Sequence, residues 1–367
     1  MGTLPRPNRA LPIAPVAERA KRRLPLADEV RPKDRRWQPV YAVWEITLKC
    51  DLACHHCGSR AGRERPDELT SAEALDVVAQ MADLGLKEVT LIGGEAYLRD
   101  DWTDIARAIR SHGMMCSVTT GGRGLTEARA LAAAKAGVQS ISVSVDGLEA
   151  THDALRGVKG SYQSAIAAIR AVRKAGIRVT TNTQINRLSL AELESLFEVL
   201  VGEQIKGWQV QLTVAMGRAA DTEGVLLEPH QMLEVMPLVA RLSLRAKEHG
   251  IRIWPGNNIG YFGPYEEILR GTLPRGHLAS CGAGRSTLGI EANGDIKGCP
   301  SLPTADYVGG NIRDFPLKDI WERAPAVRFT RPNRRRPLGP LPRLLLQRYV
   351  QGRMLVDIAC PPRQTWE

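Results

Sequence analysis

From residue 41 the chain alternates between short apolar runs and longer stretches of helical period. Val43, Ile46 and Leu48 mark a first strand ending at Lys49. A helix follows from Ser71 to about Leu84, with Ala74, Val77, Val78 and Met81 recurring on one face. The same alternation predicts strands at 88–92, 114–119, 138–145, 178–184 and 207–212. Helices are predicted at 102–111, 128–136, 162–174, 190–201 and 229–248, several closed by Gly (Gly85, Gly113, Gly137, Gly176, Gly250). Six strand–helix units imply an α/β fold with a parallel sheet. Periodicity alone leaves a barrel and a doubly wound sheet equally open. In both, functional side chains belong at the C-terminal ends of the strands.

The pattern divides the chain. Residues 1–40 form a Pro- and Arg-rich irregular arm, and 41–255 the repeating core. A Gly-rich smaller region, 256–330, carries a hairpin from Leu288 to Lys297 turning at Asn293-Gly294, and 331–367 is an Arg/Leu-rich tail. Charge divides the same way. The net +10 of the 367-residue chain is +6 in residues 1–40 and +7 in 328–367, so the body between them is at −3. A nucleic-acid footprint is therefore not expected of the body. No apolar run is long enough to span a membrane, and the first 30 residues lack a secretory core, so the expected location is cytoplasmic. Seven cysteines without an export signal point to metal or redox chemistry before disulfides.

Three of those cysteines, Cys50, Cys54 and Cys57, follow the first strand as C-x3-C-x2-C. Thiolates this close can converge on one soft metal centre. A structural zinc site needs a fourth ligand, which His55 or His56 is near enough to supply. A [4Fe–4S] cluster held by three Cys leaves one iron open, and the spacing favours it. Cys116, inside the third strand, reads as a buried core thiol.

The triad, with Gly93-Gly94-Glu95 closing the second strand and Ser144-Val145-Asp146-Gly147 closing the fourth, resembles the radical S-adenosylmethionine superfamily over about residues 41–250. The resemblance implies a partial (β/α)6 barrel. It makes Cys50, Cys54 and Cys57 the ligands of a [4Fe–4S] cluster whose open iron takes S-adenosylmethionine. Gly93, Gly94 and Glu95 are expected at the amino group of that molecule, the bare glycines letting the backbone approach and the carboxylate holding an ammonium. Ser144 and Asp146 are expected at the ribose. Asn182, Gln184 and Gln211 on late strands are candidate lining residues, whereas Thr119-Thr120-Gly121-Gly122 reads first as a loop. Two positions depart from the family pattern: His56 where an aromatic often precedes the last Cys, and Ala96 where Pro commonly follows the glutamate.

Cys281-x12-Gly294-x4-Cys299 resembles the opening of the SPASM extension of peptide-modifying radical enzymes, which continues C-x2-C-x5-C-x3-C and binds auxiliary [4Fe–4S] clusters in an intact homologue. Here the only later cysteine is Cys360. The tail reads as frameshifted: starting each codon at its second base, Met354/Leu355 must give Cys. Leu341/Pro342, Leu344/Leu345 and Val350/Gln351 give Cys when the first codon ends in G, and the four junctions have the spacing of the missing motif. As written, the chain offers Cys281 and Cys299 to a first auxiliary cluster and nothing to a second.

The function implied is reductive cleavage of S-adenosylmethionine to a 5′-deoxyadenosyl radical that abstracts hydrogen, with a ribosomally made peptide as substrate and a flavodoxin or ferredoxin as reducing partner. Gly93-Gly-Glu-Ala-Tyr-Leu-Arg99 and the run Gly289 to Pro300 resemble maturases encoded beside short peptides with a Gly-Asp-Leu motif. The alternatives are a radical enzyme of cofactor or haem-type biosynthesis or enzyme activation, and a non-catalytic metal-binding scaffold. No general acid or base is assignable. His230, His249 and His277 read as surface or packing residues, and Trp254, Tyr261 and Tyr265 as loop packing or substrate-groove lining.

Overall fold

In a computed structural model, which describes Leu26 and residues 34–260, 263–271 and 281–331, the apolar runs pair in parallel in chain order. The strands are β1 (Tyr41–Glu45), β2 (Glu88–Ile92), β3 (Met115–Thr120), β4 (Ser140–Ser144), β5 (Arg178–Ile185), β6 (Gly207–Leu212) and β7 (Arg252–Pro255). The helices between them are α1 (Ser71–Asp83), α2 (Trp102–Ser111), α3 (Glu127–Lys135), α4 (Glu149–Arg156), α5 (Ser161–Lys174), α6 (Leu193–Gly202) and α7 (Met232–Glu248). Among the described residues the sheet is open beyond β7, giving a partial barrel.

Local chemistry accounts for these elements. At the start of α1 the Thr70 hydroxyl accepts from Glu73 N while the Glu73 carboxylate accepts from Thr70 N, a capping box that satisfies two orphan donors. The helix then buries Ala74, Val77, Val78 and Met81 against the sheet. Trp44 on β1 and Trp208 on β6 are almost fully enclosed in the same apolar cluster. Removing each such side chain from water contributes on the order of 2 kcal/mol.

Three features differ from the sequence expectation. The first strand ends at Glu45 rather than Lys49, because Thr47 and Lys49 turn their carbonyls to Gly94 N and Glu95 N (2.8 Å each). A seventh parallel strand, β7, adds to β6; it is four residues long and ends in Pro. The hairpin also joins the sheet. Its first arm, β8 (Thr287–Ile290), runs parallel to β1, with β9 (Asp295–Lys297) and β10 (Gly310–Asn311) antiparallel outside it. The C-terminal region is thus an extension of the core sheet.

Candidate functional site

The loop after β1 carries Cys50, Cys54 and Cys57 as free thiols, Cys54 buried and the other two half-buried. It is clamped from several sides. Gly94 N and Glu95 N hold Thr47 and Lys49, Ala53 N and His55 N donate to Arg156 O (3.1 Å) and Leu155 O (2.8 Å), and Arg218 Nε donates to Cys54 O (2.7 Å). Gly93 and Gly94 serve this clamp. A Cβ on Gly94 would sit 2.2 Å from Lys49 O and 2.7 Å from Cys50 Cβ, and one on Gly93 2.4 Å from Thr47 O. The faces left bare by the missing Cβ atoms receive the cysteine loop, a close approach only glycine allows.

The donor set suits a cluster better than a single zinc ion. The three sulfurs are not gathered within 4.8 Å of one another, whereas Zn–S bonds of about 2.3 Å place tetrahedral sulfurs about 3.8 Å apart. Neither neighbouring histidine completes a zinc site: His55 is exposed, and His56 Nε2 lies 2.9 Å from Asp146 Oδ2. Two donors already point at sulfur, Leu52 N to Cys50 Sγ (3.4 Å) and Arg156 Nη1 to Cys54 Sγ (3.7 Å). Burial pushes the Cys50 thiol up to about 12 and raises Cys54 as well, so metal must displace a firmly held proton from each.

Beside Cys50 stand two carboxylates. Cys50 Sγ and carboxylate oxygens of Asp51 and Glu95 lie within 4.8 Å of one another. Glu95 is buried; it accepts from the Thr120 hydroxyl and from Gly121 N (2.6 Å), which brings the third strand's loop into the site. Burial still raises its carboxyl to about 7. Tyr97 donates to Asp51 (3.1 Å) and accepts from Gly124 N (2.8 Å). This pair of carboxylates beside a thiol has the chemistry to receive an ammonium group.

Asp146, expected at the ribose, lies just past the end of β4. It is fully buried, 2.6 Å from Arg156 Nη2 and 2.9 Å from His56 Nε2, and its Oδ1 accepts from Gln184 N (2.9 Å). Burial raises its pKa, but Arg156 and His56 outweigh that and hold the carboxyl well below the usual range. This side chain has no exposed surface and braces the cysteine loop from within. Ser144 is buried on β4 in register with Asn182 on β5, and Asn182 Oδ1 is a buried acceptor without a partner in the described structure. Gln184 and Gln211 are half-buried on β5 and β6.

Sequence reasoning missed Arg156, His152, Arg218 and Asp51. The first two lie on α4, where His152, Leu155 and Arg156 are the buried side chains; a helix whose inward face is mostly polar leaves no apolar period to read. The regular signal was polar residues at positions 152 and 156, four apart.

In the second region, Cys281 and Cys299 are half-buried near the hairpin, and burial together with the nearby Cys281 raises the Cys299 thiol. Next to them Lys297 Nζ lies 2.8 Å from Glu291, and Arg65 lies 3.0 Å from Glu291 and 3.4 Å from Glu45. Cys116 is fully buried. His230 and His249 are exposed, His249 packing edge-on to Phe197, while Trp254 and Tyr265 are half-buried. His277, Tyr261 and the tail from 332 onward, including Cys360, lie outside the described residues. No described helix is long and apolar enough to cross a membrane.

Residues 44–200 match the radical SAM superfamily, and residues 281–340 match the iron-sulfur cluster-binding domain SPASM. The AdoMet-dependent heme synthase of Methanosarcina barkeri is 30% identical over 80% of this chain and 85% of that protein. The PqqA peptide cyclase of Rhizobium meliloti is 28% identical over 80% and 76%. Among solved structures, Streptococcus suis SuiB bound to precursor peptide SuiA superposes with a TM-score of 0.66 at 18% identity, covering 82% of this chain and 69% of that one. Native anSMEcpe with bound AdoMet gives 0.62 at 15%, covering 77% and 81%. The open parallel barrel, the thiol loop at its C-terminal rim and these matches agree: the chain belongs to the radical SAM superfamily and carries a SPASM-type iron–sulfur cluster-binding domain, with a [4Fe–4S] cluster and S-adenosylmethionine as its cofactors.

Proposed function

We propose that this enzyme modifies a ribosomally made peptide by hydrogen abstraction, with Cys50, Cys54 and Cys57 holding the [4Fe–4S] cluster. The observation that carries the site assignment is the clamped loop of three free thiols with Cys50 set against Asp51 and Glu95. The chemistry supplied there is one-electron cleavage of S-adenosylmethionine to methionine and a 5′-deoxyadenosyl radical, which removes a hydrogen atom from the substrate. In this reading Glu95 and the backbone of Gly93–Gly94 face the amino group. Ser144 and the unpartnered Asn182 carbonyl line the nucleoside side, and Asp146 keeps the loop in place from behind. A low-potential flavodoxin or ferredoxin is the proposed electron donor.

The peptide reading is supported by the second region, where the hairpin presents Cys281 and Cys299 beside the core sheet, and by the PqqA peptide cyclase and the mycofactocin maturase of Mycobacterium tuberculosis among the relatives. A haem-type substrate is the second reading, favoured by relatives of 28–30% identity named as heme synthases. Release of 5′-deoxyadenosine by the anaerobically reconstituted chain separates them. Stimulation by a short peptide carrying a Gly-Asp-Leu motif supports the first, and stimulation by iron coproporphyrin alone replaces it with the second.

The tail is proposed to be out of frame. The SPASM match ends at residue 340, one position before the first junction, Leu341/Pro342. Codons at the four junctions that do not give Cys in the shifted frame refute this.

A further inference from the structure

Helix α4 ends against the cysteine loop. Its last carbonyls, on Leu155 and Arg156, accept Ala53 N and His55 N on either side of Cys54. Gly157 closes the helix in the left-handed region at φ 67°, and a Cβ there would sit 2.7 Å from Ala53 O. The terminal arginine therefore reaches the loop twice, through its carbonyl and through its side chain. Arg156 is 9% exposed; Nη1 donates to Cys54 Sγ at 3.7 Å and Nη2 lies 2.6 Å from Asp146 Oδ2. The same carboxylate oxygen meets His56, two residues beyond Cys54, so the contacts close a ring: Cys54, Arg156, Asp146, His56.

A buried guanidinium is costly unless paired, and Asp146 supplies the pairing while fixing the direction of the fork. A guanidinium also never gives up its proton in this range, so the donor to Cys54 is permanent. Donors to cysteine sulfur, and positive charge near it, favour the more negative, reduced state of an iron–sulfur centre. We propose that Arg156 is a positioning residue that raises the reduction potential of the cluster through its bond to Cys54, with Asp146 and His56 holding it in register. This rests on the reading that Cys54 is a cluster ligand. The redox event is the uptake of one electron from a low-potential one-electron donor, with no bond made or broken at Arg156 and no proton transferred.

The test is a mediated redox titration of the reconstituted full chain, following the reduced cluster by electron paramagnetic resonance. Arg156→Gln is expected to cut the reduced-to-oxidised ratio at fixed potential at least tenfold, a shift of about 59 mV to more negative potential for one electron. Arg218→Gln removes an equal charge that bonds backbone carbonyls of the same loop, Cys54 O and Ala61 O, and is expected to move the midpoint less than half as far. Equal shifts in the two variants overturn the proposal, because net charge then suffices, and an unchanged midpoint in Arg156→Gln overturns it outright. If Arg156→Gln does not retain iron, Arg156→Lys takes its place. Its point charge cannot hold Asp146 and Cys54 together, so a smaller negative shift is expected and no shift overturns the proposal. Cys54→Ala separates the two levels: loss of the cluster signal upholds the ligand assignment, and full retention removes it along with this inference.

Discussion

The loop after β1 and the hairpin of β8 and β9 carry cysteines at neighbouring places on one sheet, yet they are built in opposite ways. The loop gathers its three thiols within eight residues of sequence and is clamped by backbone bonds from β2, α4 and Arg218. The hairpin region draws Cys281 and Cys299 from either side of β8 and is braced by buried charge, Glu291 with Lys297 and Arg65. A site that is local in sequence needs only nearby strand ends to form. One assembled from distant segments depends on every segment being present, and here the later cysteines of the motif are missing from the chain as written.

The largest effect that sharpens this contrast is loss of a loop thiol. Cys54→Ala is expected to lower 5′-deoxyadenosine release by more than the about 10–100-fold typical of outer-shell changes, whereas Cys299→Ala changes it by less than about threefold. Comparable losses in both would erase the distinction. Next is the charge brace. Lys297→Met removes the 2.8 Å ion pair from the buried Glu291 carboxylate and is expected to cost about 3 kcal/mol, read by denaturant unfolding. A cost near zero would mean that the hairpin is held by packing alone.

The loop side has its own dependence on pH. His152 is buried on α4, where Asp146 N donates to its Nδ1 at 3.2 Å; burial, Arg156 and His56 lower its pKa to about 4, against Asp146 and Asp153. The unfolded chain takes up that proton near 6.5 and the folded chain only near 4, so stability is full above 6.5 and falls as pH drops between those values. The loss is about 2 kcal/mol, allowing for local relaxation. Thermal unfolding of His152→Gln should show a flatter profile over that window, and an unchanged slope would assign the acid sensitivity elsewhere. The smallest effect joins the two regions. Arg313 and the capping-box bonds to Thr70 lower Glu73 to about 2, so its contribution is present above about 4.5 and lost as pH falls through 2. Because the pair is largely exposed, Glu73→Gln should cost only about 0.5 kcal/mol at neutral pH.

The legible parts of this chain were those in which local pattern and burial agree. Helix Trp102–Ser111 and strand Gly207–Leu212 were bounded correctly because their apolar positions all face the core. Helix Glu149–Arg156 was missed because its inward face carries His152 and Arg156, and polar burial has no hydrophobic period. The thiols of the loop were visible as a spacing. The inward turn of Glu95 and Asp146 was not, since it depends on partners from other elements: Thr120 and Gly121 for one, Arg156 and Gln184 for the other. The pairing of β8 with β1 left no trace in either segment alone.

That last pairing sets a timetable. Tyr41 to Trp44 hydrogen-bond to Thr287 to Ile290, a partner synthesised long after them. Until it emerges, the growing polypeptide keeps one flank of its first strand bare, a row of free amide and carbonyl groups next to three unligated thiols. Such long-range closure is slow and leaves the nascent chain open to mispairing. A message broken before codon 287 would therefore yield a sticky, oxidation-prone fragment.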